Sequence, residues 1–552
     1  MSDERDGRRR PARGWRFADW VTRRARHSPE TAAVVDAETR LTYAALDDAV
    51  AQTAGRLAAL GVERDNHLGL VVGTRRAAVA VVHAAARLGA TLVPVDPRGD
   101  ADAVRERLDR ADVTAVVCER PTAAVVADVV DGLPVATVDE TTRDGVQSLP
   151  AVDPAPASVT PVELALDDRL LVLYTSGTTG DSKPVVLTAG NVLASATSSA
   201  LRLGVAPGDR WLCELPAYHM GGIAPFYRTA IYGTTAVLVE RERLPEDDDA
   251  APTDAPTGRA GFDAERTLWA MHEHAVTGAS LVPTQLRRLL DAADATEGPD
   301  TLPDSLRCVL LGGGPAPDAL VERCDARDTP VCPTYGLTET ASQVTTATPD
   351  EATDYVGTVG RPLAFTDVLV ARESETDDAR RPPATRGPPG YRPCAGGESG
   401  EILVRGPTVT PGYYDAPERT AAAFAGEWFR TGDRGRLVDG RLYVAGRRVD
   451  RIVSGGENVD PAAVADAIRT VDGVRAAAVV GVPDAEWGER VAALVVPDTE
   501  RPALRVSVVD ACRERLPAHA VPRTVRMVET LPRTVSGTVD REAARDLLVG
   551  EE

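Results

Sequence analysis

A repeated order of amphipathic helix and short buried strand restricts the fold more than any other feature of this chain. In LTYAALDDAVAQTAGRLAALGV, Leu46, Val50, Ala54, Leu57 and Leu60 recur at spacings of three and four, so they share one face of a helix. LGLVVG follows, apolar throughout and too short for a helix, as a buried strand is. AAVAVVHAAARLGATLVPVD and VRERLDRADVTAVVCE repeat the order, and LVLYTSGTTG supplies a further strand with a helix after it. Such alternation specifies an α/β domain with a largely parallel sheet. Its ligand sites are expected in loops at the carboxyl ends of the strands.

A chain of 552 residues exceeds what one core serves, so at least two domains are expected. From GRLYVAGRRVDRIV onward the pattern restarts in a smaller α+β unit, with a helix at PAAVADAIRTV, strands at AAAVVGV and VAALVV, and a helix near VSVVDACRERL. The reading is a disordered tail over 1–13, a large domain over 14–445 and a small mobile domain over 446–552. Stretches rich in Pro, Gly and acidic residues near 241–263 and 371–397 read as solvated loops or insertions.

The net charge of −21 opposes attraction to nucleic acid or to anionic membranes. No run approaches the ~18 apolar residues of a membrane span, and no apolar signal region follows the charged start, so no membrane insertion and a cytoplasmic location are expected. The seven cysteines, at 118, 213, 308, 324, 332, 394 and 512, include no CxxC pair and read as reduced thiols. Lys183 is the only lysine among 62 lysines and arginines. Either a GC-rich genome or a salt-rich, halophilic cytosol accounts for the loss of the others, and the acidity favours salt.

That lysine sits in YTSGTTGDSKP. Gly177 and Gly180 permit the backbone turns that aim successive N–H groups at one anion, while Thr175, Ser176, Thr178 and Thr179 add hydroxyl donors. A lysine three residues after the second glycine adds a mobile point charge. The GK[ST] of a Walker loop is absent. A solvated polar turn is the alternative, against which stands the retention of the sole lysine.

The same stretch resembles the phosphate loop TSGTTGxPKG of the adenylate-forming superfamily of acyl-CoA synthetases, with Ser182 and Pro184 departing from it. Further motifs follow in the family's order: YGLTET at 335–340, GESGEILVRGPTVTPGYY, WFRTGD at 428–433 and GRRVDRIVSGGENVDP. The resemblance implies an AMP-forming acid–thiol ligase using ATP, Mg²⁺ and coenzyme A. It implies that Tyr335, with Gly336, stacks on adenine, that Thr338 touches the α-phosphate, and that Glu339 holds Mg²⁺, a hard cation suited to oxygen ligands. Asp433 and Arg447 resemble the ribose contacts, and Gly312, Gly313, Gly314 and Pro315 the bare backbone beside adenine and acyl group.

Three stretches, WLCELPAYHMGGIAPFYRTAIYG, LRCVLLGGGPAP and VCPTYGLTETASQVTT, resemble the o-succinylbenzoate–CoA ligases of menaquinone synthesis. That resemblance places His219 at the acyl pocket, beside Gly314. Arg228, further along the segment, could pair the substrate carboxylate that does not react. A capping histidine and a helix-surface arginine are the plainer alternatives. A ligase for another aryl or medium-chain acid remains open. YHMGG lacks the aspartate with which amino-acid adenylating relatives grip an amine, and no carrier domain follows, so diffusible coenzyme A is the expected acceptor.

The small domain departs from the family at its end. Where the pattern PKxxxGK carries a lysine that bridges carboxylate and α-phosphate, LPRTVSGTVDR has Thr538. Three accounts stay open: Arg533 or Arg541 substitutes; Mg²⁺, Lys183 and the loop donors suffice for a slower enzyme; or the chain is a non-catalytic nucleotide-binding homologue. The resemblance implies a hinge whose pivot position, often Asp or Lys in the family, is here Val449, followed by Asp450.

Overall fold

The computed structural model describes residues 15–99, 101–154, 161–175, 182–239, 262–295, 302–374, 388–447, 452–454, 457–459, 461–484, 488–498, 504–533 and 539–549. The expected tail over 1–13, the hinge pair Val449 and Asp450, and Thr538 lie outside them.

The helix read from the first amphipathic stretch spans Tyr43–Ala59, with the Thr42 hydroxyl accepting from the Ala45 N–H at 3.2 Å. Leu41 and Thr42 instead end a short edge strand, Arg40–Thr42. The following strands build an eight-stranded sheet. Thr91–Pro94, His67–Val71, Ala115–Cys118, Val135–Thr137 and Gln147–Ser148 run parallel beside Arg169–Thr175. Lys183–Thr188 and Gly412–Tyr413 continue that sheet antiparallel. A nine-stranded sheet has a parallel centre made of Val331–Leu337, Cys308–Leu311, Gly278–Leu281, Arg210–Cys213, Thr235–Leu238 and Ala32–Val35. Apolar residues of helix Tyr43–Ala59, of Arg76–Leu88 and of Met220–Tyr232, among them Leu57, Val82, Phe226 and Tyr227, form one buried cluster with strand residues of both sheets.

Helix–strand alternation does not extend to a third sheet, which is antiparallel throughout: Tyr391–Pro393, Asp367–Glu373, Gly400–Arg405, Trp428–Val438 and Arg441–Arg447, with Phe424–Ala425 at its edge. The stretch 371–397, expected as loop, therefore has flanks that pair as strands, Ala371 with Pro393 and Glu373 with Tyr391. Hairpins of this kind carry no helix period, which is why the alternation does not announce them.

Ile452–Ser454 opens a separate five-stranded sheet with Glu457–Val459, Gly488–Pro497, Val474–Asp484 and Thr524–Met527. Side chains of its two long strands alternate between two cores. Ala477, Val479, Val491, Ala493 and Val495 pack with Val464, Ile468, Val508 and Cys512. Ala478, Val480, Val482, Ala492, Leu494 and Val496 pack with Leu531, Ala544 and Leu548. A period of two on a sheet covered on both faces yields this pair of clusters.

Candidate active site

The phosphate-loop stretch is a hairpin connection. Thr175 ends one strand, Lys183 opens the next, and the two are antiparallel partners. Ser176, Gly177, Thr178, Thr179 and Gly180 lie outside the described residues. The base of the hairpin is held twice: the Ser182 hydroxyl donates to the Thr175 carbonyl at 2.8 Å, and Arg110 Nη1 donates to the Ser182 carbonyl at 3.0 Å. Lys183 Nζ stands 5.5 Å from the centroid of the Tyr413 ring.

The hydroxyl of the same tyrosine meets Glu339. The Tyr413 hydroxyl donates to Glu339 Oε1 at 3.1 Å, and the Thr410 N–H donates to the Glu339 carbonyl at 2.7 Å. Glu339 belongs to a tight turn, Thr338–Thr340, at the carboxyl end of the parallel strand Val331–Leu337. Thr338 is half-buried. Gly336 has no substitute here, because a Cβ would stand 1.6 Å from the Ser342 carbonyl oxygen. After the turn, Ala341 and Ser342 hold φ of 51° and 106°, conformations that side chains rarely adopt and that cost about 1–3 kcal/mol each. Ser195 Oγ secures them by donating to the Ala341 carbonyl at 2.5 Å.

Tyr335, half-buried on the same strand, donates from its hydroxyl to Asp433 Oδ2 at 2.6 Å. Thr431 Oγ1 accepts from the Asp433 N–H at 3.0 Å, and Asp433 pairs in register with Arg447. Gly312, Gly313, Gly314 and Pro315 follow strand Cys308–Leu311 at its carboxyl end. Gly313 turns the chain at φ 74°, and Gly313, Gly314 and Pro315 are exposed. The candidate adenine, ribose and phosphate residues thus converge at the carboxyl ends of the parallel strands, as the alternation requires.

His219 immediately precedes helix Met220–Tyr232. Its Nε2 is buried with no hydrogen-bond partner among the described residues. Burial pushes the imidazole down to about 4; Asp96 opposes this, and Arg98 and Arg107 add to it. The Tyr218 and His219 ring centroids lie 4.6 Å apart. Arg98 donates to the Tyr218 hydroxyl and pairs with Asp96 at 3.2 Å.

Arg228 stands nine residues further on, about two and a half turns and roughly 13 Å along the helix. It is buried, 7% exposed, and donates to Ser195 Oγ at 3.3 Å. Among the described residues no carboxylate pairs with it, and burial lowers its pKa. It lines a cavity of about 420 Å³, open space at the mouth included, whose walls include Leu203, Val205, Trp211 and Pro225. Ser195 joins this guanidinium to the Ala341 turn next to Glu339.

Arg533 forms a bridge with Val539 beside the undescribed 534–538, and burial, with the charges of Arg287 and Arg288, lowers its pKa. Arg541 opens the helix Arg541–Val549. Arg110, Ser195, Asp96, Arg98 and Tyr413 are the participants that motif reading did not single out. Tyr413 lay within a recognised motif, whereas the others reach the site only through long-range folding.

A metal fits this set. Oε1 of Glu339 is engaged by Tyr413, and Oε2 accepts no hydrogen bond from a described residue. Among the described residues no three His, Cys, Asp or Glu side chains converge. One carboxylate oxygen beside phosphates suits Mg²⁺, which keeps water and substrate oxygens as its other ligands.

Comparison with known proteins agrees with this geometry. Residues 21–414 match the model of the AMP-binding enzyme family, and residues 463–538 that of the AMP-binding enzyme C-terminal domain. The 2-succinylbenzoate–CoA ligase of Bacillus licheniformis is 34% identical over 525 residues, 95% of this chain and 98% of that one. That of Listeria monocytogenes is 32% identical over 531 residues, 96% and 99%. The structure of o-succinylbenzoate CoA synthetase from Bacillus subtilis with the acyl-adenylate intermediate OSB-AMP superposes with a TM-score of 0.82 at 30% identity, covering 96% of this chain and 99% of that one. The complex of that enzyme with ATP and magnesium ion gives 0.81 at 30%, covering 96% and 99%. With the strand-end site and both family models in order along one chain, the protein belongs to the AMP-binding enzyme family.

Proposed function

We propose that the chain joins o-succinylbenzoate to coenzyme A, using ATP to form an acyl-adenylate first, as a step of menaquinone biosynthesis. Full-length similarity to 2-succinylbenzoate–CoA ligases supports this reading. The observation on this chain that carries it is Arg228, a buried guanidinium without a carboxylate partner among the described residues, in a cavity whose walls join apolar Leu203, Val205, Trp211 and Pro225 with Asp209 and Arg307. An aryl dicarboxylate supplies what such a site lacks: a flat apolar body and a second carboxylate for a bidentate, charge-assisted pair.

In the first half-reaction the other carboxylate attacks the α-phosphate of ATP. Tyr335 and Gly312–Pro315 border the adenine, and Asp433 with Arg447 takes the ribose hydroxyls. Lys183 and the hydroxyls of the 175–180 stretch carry the departing pyrophosphate, with Thr338 at the α-phosphate. Mg²⁺, held by Glu339, would supply Lewis-acid neutralisation of phosphate charge. Preorganised charge of this kind is the main source of rate in such transfers. His219, held neutral by burial, borders the reacting carboxylate beside Gly314 without adding charge. In the second half-reaction the coenzyme A thiol displaces AMP after the small domain, 446–552, rotates on the large one, 14–445. No described helix is long and apolar enough to cross a membrane, and the acidity supports a salt-rich cytoplasm as the place of work.

Acid-dependent exchange of labelled pyrophosphate into ATP, at molar KCl, tests the reading. Exchange with o-succinylbenzoate well above that with benzoate or a medium-chain acid is expected, and its loss in Lys183→Ala. Faster exchange with a monocarboxylate moves the substrate to another aryl or medium-chain acid. Exchange seen only in Thr538→Lys makes the native chain a nucleotide-binding homologue without turnover.

A further inference from the structure

We infer that Tyr413 is a positioning residue that both couples Lys183 to Glu339 and holds them apart. The inference rests on the reading of those two residues as phosphate and metal contacts.

The backbone of Tyr413 is fixed on three sides. Gly412–Tyr413 extends the first sheet, with Tyr413 opposite Val185 and Gly412 opposite Val186, two and three residues along from Lys183. Tyr413 N–H donates to Thr420 Oγ1 at 3.0 Å, and a Cβ on Gly412 would stand 2.4 Å from the Thr420 methyl carbon. Thr410, just before, donates from its N–H to the Glu339 carbonyl and from its hydroxyl to the Val186 carbonyl. The ring, buried at 7% exposure, is thereby aimed from a rigid edge at two residues from distant parts of the chain.

The two ends of the side chain make different contacts. The hydroxyl donates to Oε1 of Glu339, leaving Oε2 for a cation. The face of the ring receives the Lys183 ammonium at 5.5 Å, the geometry of a cation–π contact. An ammonium and a carboxylate meeting directly would pair and neutralise each other. Among the described residues Lys183 forms no ion pair, and the tyrosine contacts both charges, one at its ring and one at its hydroxyl. Both charges then stay available to a nucleotide and its metal.

The test is ATP binding by calorimetry on the full chain, without acid substrate, with and without Mg²⁺. Tyr413→Phe keeps the ring and loses the hydroxyl. It should leave Mg²⁺-free affinity within about twofold and cut the Mg²⁺-dependent gain about tenfold, the effect of a hydrogen bond to a charged group. Tyr413→Leu removes the ring as well and should also weaken Mg²⁺-free binding about threefold. In a Glu339→Gln background, Tyr413→Phe should add nothing. A Mg²⁺ gain unchanged in Tyr413→Phe, or equal losses with and without Mg²⁺, would overturn the proposal and leave Tyr413 a packing residue. Should Lys183→Ala bind ATP as tightly as the native chain, the phosphate-site reading itself fails, and this one with it.

Discussion

The proposed nucleotide half and the proposed acyl half of the site are built on opposite plans. On the nucleotide side polar side chains already answer one another: Tyr335 to Asp433, Tyr413 to Glu339, Lys183 to the Tyr413 ring. On the acyl side, among the described residues, His219 Nε2 is buried without a hydrogen bond and Arg228 without a carboxylate. A preorganised half needs little rearrangement to receive its ligand. An incomplete half discriminates, because a ligand lacking the missing group leaves a buried charge unanswered.

The largest effect should come from the preorganised half. Lys183→Ala should lower acid-dependent pyrophosphate exchange about a thousandfold, roughly 4 kcal/mol, the upper range for one charged transition-state contact. Lys183→Arg should restore little, since a planar fork cannot take the place of a compact ammonium over the ring. A full rescue by arginine would mean that the nucleotide half is not preorganised around this side chain.

On the proposed reading the acyl half answers to Arg228. Arg228→Gln should raise KM for o-succinylbenzoate about a hundredfold, roughly 3 kcal/mol, within the range for removing one partner of a buried charge pair. KM for benzoate should change little. Equal losses for both acids would show that Arg228 supports the Ala341 turn through Ser195 instead of reading a carboxylate, and the contrast between the halves would collapse.

How much of this was legible in the sequence divides along the same line. The candidate nucleotide residues sit in short contiguous motifs because a strand end and its following turn place them together, so local pattern sufficed to propose Lys183, Gly336, Glu339 and Asp433. Arg228 was singled out only as a cation on the right helix. Its contact with Ser195, and the approach of Arg98 to Tyr218, join residues 33 and 120 positions apart. No periodicity encodes such pairs. The third sheet was missed for a related reason, since antiparallel hairpins rich in polar residues look like loop until their partners are known. Strain at Ala341 and Ser342 has no sequence signal, because neither residue type advertises a positive φ.

Not every unanswered buried group awaits a ligand, and His83 separates the cases. It is fully buried, its ring 5.7 Å from that of Tyr227, and Nδ1 has no hydrogen-bond partner among the described residues. Burial pushes its pKa to about 4 from an ordinary 6.5, with Asp19 opposing and Arg87 adding to the shift. The folded chain therefore binds fewer protons than the unfolded one between those values. Stability from this group is complete above about pH 6.5 and is lost as pH falls toward 4, by about 3 kcal/mol. Denaturant titrations across that window should show a shallower loss in His83→Gln than in the native chain. Saturating o-succinylbenzoate should leave the His83 share intact; if the acid removes it, His83 belongs to the acyl half.

The smallest expected effect concerns the base of the phosphate hairpin, where the family pattern has proline and this chain has Ser182. The serine hydroxyl closes on the Thr175 carbonyl and its own carbonyl accepts from Arg110. A hydrogen bond contributes about 0.5–1.5 kcal/mol, and proline at a compatible position contributes about 0.4–1 kcal/mol by restricting the unfolded chain. The two devices are similar in size, so one can stand in for the other. Ser182→Ala should raise KM for ATP a few-fold, with kcat less affected, and Ser182→Pro should return it to near the native value. Arg110→Gln should act like Ser182→Ala in the native chain, and it should keep acting in the Ser182→Pro background, because the carbonyl it holds survives that substitution. If proline proves worse than alanine, the hairpin base needs the donated bond itself and not merely stiffness, and preorganisation of the nucleotide half would then depend on hydrogen bonds all the way to its outermost turn.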